Sequence, residues 1–146
     1  MEEKLDNLAF SFFKLFAQYE SYLKDHDYFD ISNSGKIIVA WDRFVNENIG
    51  ADFIEKLGEN AESANFILTN PPMRQSTNSN GQIVWVDVPN NEKSIQVLFG
   101  HIRRARNNLF HGAKFHNTWY APERNFELLQ HGLIILNHFK RLVNVR

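Results

Sequence analysis

The stretch Arg103-Arg104-Ala105-Arg106-Asn107-Asn108-Leu109-Phe110-His111-Gly112 gathers three guanidiniums, two carboxamides and one imidazole within ten residues. An imidazole with its usual pKa can accept and return a proton near pH 7, so His111 is a candidate proton carrier. Asn107, one turn earlier, can hydrogen-bond to His111 or to a phosphate oxygen. No acidic residue lies between Glu92 and Glu123, while Lys93 and Lys114 add to the arginines there. The first sixty residues are the reverse, with twelve acids against six bases. The whole chain has a formal charge of −1. One basic segment in a near-neutral chain fits a local anion site better than a surface coated by nucleic acid.

Other site classes are poorly served. There is no Cys, which excludes a disulfide framework, a Cys-based zinc site and a Cys nucleophile. His26, His101, His116, His131 and His138 are the remaining imidazoles. His131 and His138 share a helix face, but no carboxylate accompanies them at ligand spacing, so no metal site is expected. No phosphate-binding glycine loop, GxSxG or HExxH occurs, and no cofactor is expected. Trp41, Trp85 and Trp119 could stack bases, although core packing suits at least two of them better.

The elements that must position these groups are mostly helical. Leu5, Leu8, Phe12, Leu15, Phe16, Tyr19, Tyr22 and Leu23 recur at spacings of three and four, predicting a helix over about 2–25. A polar connection from Asp27 to Gly35 precedes a second expected helix, Lys36 to Asn48, which Gly50 stops. Short helical pieces are expected near Ala51–Leu57 and Ala61–Leu68, ended by Asn70-Pro71-Pro72. Asn80-Gly81 and the run from Ile83 to Val88 predict a short extended excursion. A long helix from about Asn91 to His111, capped by Asn90 or Asn91, carries the basic segment, and Gly112 is its stop. Pro122 opens the last helix, in which Gly132 suggests close approach of another backbone or is simply a tolerated cost. The expected fold is a single all-α domain over 1–146. It is an antiparallel bundle of four to five helices with an irregular or β-like insertion at about 70–90. No apolar run has the length of a membrane span and no basic leader is visible, so a cytoplasmic location is expected.

Arg106 falls within the apolar stripe of Ile95, Leu98, Phe99, Ile102, Ala105 and Leu109. A guanidinium aimed at the bundle needs a partner, and an acid from another helix that merely fixes packing is one. His111, ending its helix, can equally act as a polar cap.

Arg106 and His111, separated by four residues and with the polar Asn107 directly after the arginine, resemble the Arg-x4-His motif of the HEPN superfamily of small helical proteins. The longer string from Arg103 to Phe115 is similar to variants of that family in prokaryotic toxin and defence systems. Arg104 also meets the wider family spacing; Asn107 favours Arg106 as the motif residue. The resemblance implies a metal-independent endoribonuclease, with the RNA 2′-OH attacking the adjacent phosphate to leave a 2′,3′-cyclic phosphate. Arg106, Asn107 and His111 would be its catalytic residues, and Arg103, Arg104, Asn108 and Lys114 would hold RNA phosphates. The alternative it implies is a non-catalytic helical module that binds a nucleotide, or an antitoxin or nucleotidyltransferase partner. Five residues of regular helix set Arg106 and His111 about 140° apart around the axis. They can meet one phosphate only if the helix unwinds near Leu109 or a second chain supplies the missing group; a homodimer with a composite site is expected, as the resemblance also implies.

Overall fold

The computed structural model describes residues 2–110, 115–116, 118–119 and 121–146, and of 110, 115–116 and 118–119 the backbone alone. Helices dominate it, accompanied by three short antiparallel ladders. Helix α1 spans Glu2–Asp25, as expected, and buries Leu5, Phe12, Leu15, Phe16, Tyr19 and Leu23. Its end is a Schellman turn: Asp27 takes φ 66° and the Tyr28 N–H bonds to the Leu23 carbonyl at 2.8 Å.

The next element corrects the sequence reading. Residues 37–39 are not helical. Strand β1 (Phe29–Ile31) pairs with β2 (Ile37–Val39) through a turn in which Gly35 has φ +82°. Helix α2 starts only at Trp41 and runs to Asn48. Ile37 and Ile38 match the helical spacing of Trp41, Phe44 and Val45, but three β-branched residues behind a Ser-Gly turn favour the pleated form.

Helix α3 (Phe53–Leu57), a 3-10 turn (Gly58–Asn60) and helix α4 (Ala61–Thr69) follow, close to the two short helical pieces expected. The expected excursion is a hairpin, β3 (Arg74–Thr77) with β4 (Ile83–Val86). Helix α5 is Ile95–Phe110. Its cap is Ser94, whose Oγ accepts the Val97 N–H at 3.2 Å, whereas Asn90 closes only a local turn onto the Glu92 N–H. The start therefore lies four residues beyond the expected one. Strands β5 (Phe115–His116) and β6 (Thr118–Trp119) form a third ladder. Helix α6, Pro122–Val143, ends in a second Schellman turn with Asn144 at φ 64°.

One core joins these helices, centred on Phe12, Phe16, Tyr19, Phe44, Phe99 and Phe139. Aromatic rings of α1, α2 and α5 meet edge-on or tilted, for example Phe16 and Trp41 at 5.4 Å and Trp41 and Phe99 at 6.1 Å. The Tyr19 hydroxyl donates to the Leu136 carbonyl at 2.5 Å, tying α1 to α6, and burial pushes its pKa up. Gly132 has no room for a side chain, because a Cβ there would lie 2.8 Å from Cε2 of Phe12. Among the described residues, no helix is long and apolar enough to cross a membrane.

Candidate functional site

Arg106 sits where the apolar stripe of α5 meets α1. Its Nη1 donates to a carboxylate oxygen of Glu20, forming an ion pair in which the two side chains are 24% and 29% exposed. Its Nε and Nη2 donate to Oδ1 of Asn107 at 3.2 and 2.9 Å. Its guanidinium carbon lies 4.9 Å from the centre of the Phe16 ring. Ring face, carboxylate and carboxamide together fix the plane of the guanidinium. Three of its five N–H groups are used among the described residues. Glu20 and Phe16 are the participants that sequence reasoning missed. The available signal was that Glu20 interrupts the buried Phe16, Tyr19 and Leu23 stripe of α1 at its border.

Arg103 points elsewhere. Its guanidinium lies 5.8 Å from the ring centre of Trp41, so this tryptophan is a core residue with a cation on it rather than an open base platform. Burial pulls the Arg103 pKa below its usual range; Asp42 and Glu20 oppose that, and nearby Arg106 adds to it. Its Nε is buried without a partner among the described residues.

Arg104 and Asn108 serve the chain that leads to β3. Arg104 Nη1 donates to the Pro72 carbonyl at 3.3 Å and Asn108 Nδ2 to the Met73 carbonyl at 2.8 Å. Arg124 of α6 adds a bond to the Pro71 carbonyl at 2.7 Å. Three side chains thus hold three consecutive carbonyls that no ladder partner satisfies. Burial, with Arg74 nearby, lowers the Arg104 pKa. Beside it His101, 2% exposed, has its pKa lowered to about 4 by burial and by Arg104.

The structure therefore brings Arg106 and Asn107 together, and it separates Arg104 from them. His111 and Lys114 lie outside the described residues. His131 and His138 are held by neighbours on α3, the 3-10 turn and α4. His131 Nδ1 meets Ser63 Oγ at 2.9 Å. His138 Nε2 meets the Lys56 carbonyl at 2.8 Å, which requires a proton on that nitrogen, and its Nδ1 accepts from Asn60 Nδ2 at 3.0 Å. Among the described residues, no group of three His, Asp or Glu could hold a metal ion.

An arrangement of this kind can bind an anion at the two N–H groups of Arg106 that have no partner among the described residues, and can stabilise charge that develops there. No family model matches the chain, and no curated protein or solved structure is significantly similar to it.

Proposed function

We propose that this chain is a metal-independent endoribonuclease of a toxin–antitoxin or phage-defence type. Its helices would form the antiparallel bundle of the HEPN superfamily, and it would act on RNA as a cytoplasmic homodimer. The observation that carries the proposal is the fixed, part-exposed guanidinium of Arg106 with Asn107 as its neighbour, five residues before His111.

The reaction needs no redox partner. The 2′-oxygen bonds to phosphorus as its proton passes to a base; the phosphorus–O5′ bond breaks as an acid protonates the leaving oxygen. His111 carries one of these protons. Arg106 donates to the non-bridging oxygens as charge builds on them. Asn107 orients Arg106 and Lys114 takes a flanking phosphate, while Arg103, whose guanidinium lies on the Trp41 ring, would reach a phosphate only through its outer donors. Arg104 and Asn108, occupied by backbone carbonyls, would act on RNA only through their remaining donors.

The test is RNA cleavage by the purified chain with EDTA present, followed by end-group analysis. Cleavage with 2′,3′-cyclic phosphate ends is expected. Activity lost in EDTA and restored by Mg²⁺ or Mn²⁺ would contradict the proposal.

The Glu20 carboxylate on Arg106 also favours a second reading, a non-catalytic module in which this pair serves packing. Such a module would bind a nucleotide, or an antitoxin or nucleotidyltransferase partner. It requires that RNA survive incubation with the wild-type chain.

A further inference from the structure

Alongside Arg106, the outer face of α1 is apolar where it should be polar. Phe10 is 68% exposed and Phe13 53% exposed, although α1 buries its other phenylalanines. At 100° per residue, Phe10, Phe13, Ala17 and Glu20 form one stripe along the helix. The two rings stand at one end of that stripe, the carboxylate that holds Arg106 stands at the other, and the exposed, small Ala17 lies between. A groove of about 280 Å³ opens at the phenylalanine end of the stripe, bounded by Ala9, Phe10, Phe12 and Phe13 of α1 and by Arg106 and Leu109 of α5. Among the described residues bounding it there is one charge, a guanidinium, and no carboxylate.

We infer that this groove is a nucleobase subsite, taking one unpaired base of single-stranded RNA against Phe10 and Phe13 while an adjoining phosphate lies on Arg106. The groove asks for an occupant with a flat apolar body and an anionic end. A nucleotide has both, its base stacking on the two rings while its phosphate meets Arg106, whereas an aliphatic carboxylate brings the anion without a flat face to stack. Base stacking on aromatic side chains tolerates any base, so the subsite would confer grip rather than a sequence code. The choice of RNA as ligand rests on the nuclease reading; the groove and its charge do not.

The test uses a 2′-O-methyl pentanucleotide carrying 2-aminopurine, which lacks the attacking hydroxyl and cannot be cleaved. Binding should quench the fluorophore, because the base stacks. Phe10→Leu/Phe13→Leu keeps both positions apolar and removes both rings from exposed positions. It should weaken binding roughly five- to a hundredfold, the range expected for loss of base stacking, and abolish the quench. Phe13→Trp should restore both. A double variant that binds and quenches like wild type overturns the subsite. So does a double variant that cleaves RNA with an unchanged KM, which would leave the nuclease reading standing. A fall in oligomeric size in the double variant would make the groove a contact between copies and would also overturn the subsite. If the probe binds and quenches but RNA is never cut, the subsite stands and the nuclease reading falls.

Discussion

At the residue scale, the account turns on which neighbours each side chain has. Arg106 is held by Glu20, Asn107 and the Phe16 ring, so its removal takes away a positioned donor. Arg106→Ala should lower RNA cleavage on the order of a hundredfold. Glu20→Gln keeps an acceptor but removes the charge. Its stability cost should stay within about 1 kcal/mol, as for other part-exposed pairs. Its cleavage rate should lie between those of wild type and Arg106→Ala. An Arg106→Ala chain that is folded and cuts at the wild-type rate would leave Arg106 to packing alone. His101 offers a test of the fold by pH. Burial and Arg104 hold its pKa at about 4 in the folded chain, against 6.5 when exposed. Between those values the unfolded chain takes up a proton that the folded chain refuses. His101 therefore makes stability fall as pH drops from 6.5 to about 4, by up to about 1.4 kcal/mol per pH unit, and has no further effect below that. Denaturant midpoints measured across this window should drop less steeply for His101→Phe than for wild type. Equal slopes would mean that His101 is protonated in the folded state.

At the element scale, long helices and the short pieces flanked by clear stop signals were legible in the sequence, and the strand at 37–39 was not. Helices α1 and α6 carry six or more apolar residues at three- and four-residue spacing, and both ends of α1 and the start of α6 agree with the sequence reading. Ile37 and Ile38 fit a helix by spacing and a strand by side-chain branching. Only pairing with Phe29 to Ile31 decides between these, and such pairing cannot be seen in a local pattern. The position of Arg106 on the bundle side was legible from its angle on α5. Its partner Glu20 was not, because it lies 86 residues away in sequence. The hold of Arg104, Asn108 and Arg124 on residues 71–73 was equally hidden, since carbonyls carry no sequence signal. Gly132 was readable as a close approach, although what approaches is the Phe12 ring rather than backbone. Gly132→Ala would gain about 1 kcal/mol of helix propensity but must displace a buried ring, at a cost of about 1–3 kcal/mol. A net loss is expected in thermal or urea unfolding. Phe12→Leu should reverse the sign of the Gly132→Ala effect; if alanine stabilises the wild-type background, the packing described around Gly132 is wrong.

At the scale of the whole molecule, one chain has one His111 for a proposed reaction that moves two protons. A two-fold axis beside α5 would bring two copies of Arg106, Asn107 and His111 to one cleft. Light scattering at micromolar concentration should give a mass near twice 17.1 kDa. Mixing Arg106→Ala with His111→Ala chains should restore part of the lost activity, and a fully active monomer would contradict the shared site. The central claim, that His111 moves a proton in a metal-independent RNA cleavage, is tested most directly by one comparison. Wild type and His111→Ala, matched in circular dichroism and oligomeric size, are incubated with RNA in EDTA and their initial rates compared. The account expects wild type to leave 2′,3′-cyclic phosphate ends and His111→Ala to be slower on the order of a hundredfold or more. A folded His111→Ala chain that cuts RNA as fast as wild type would contradict it.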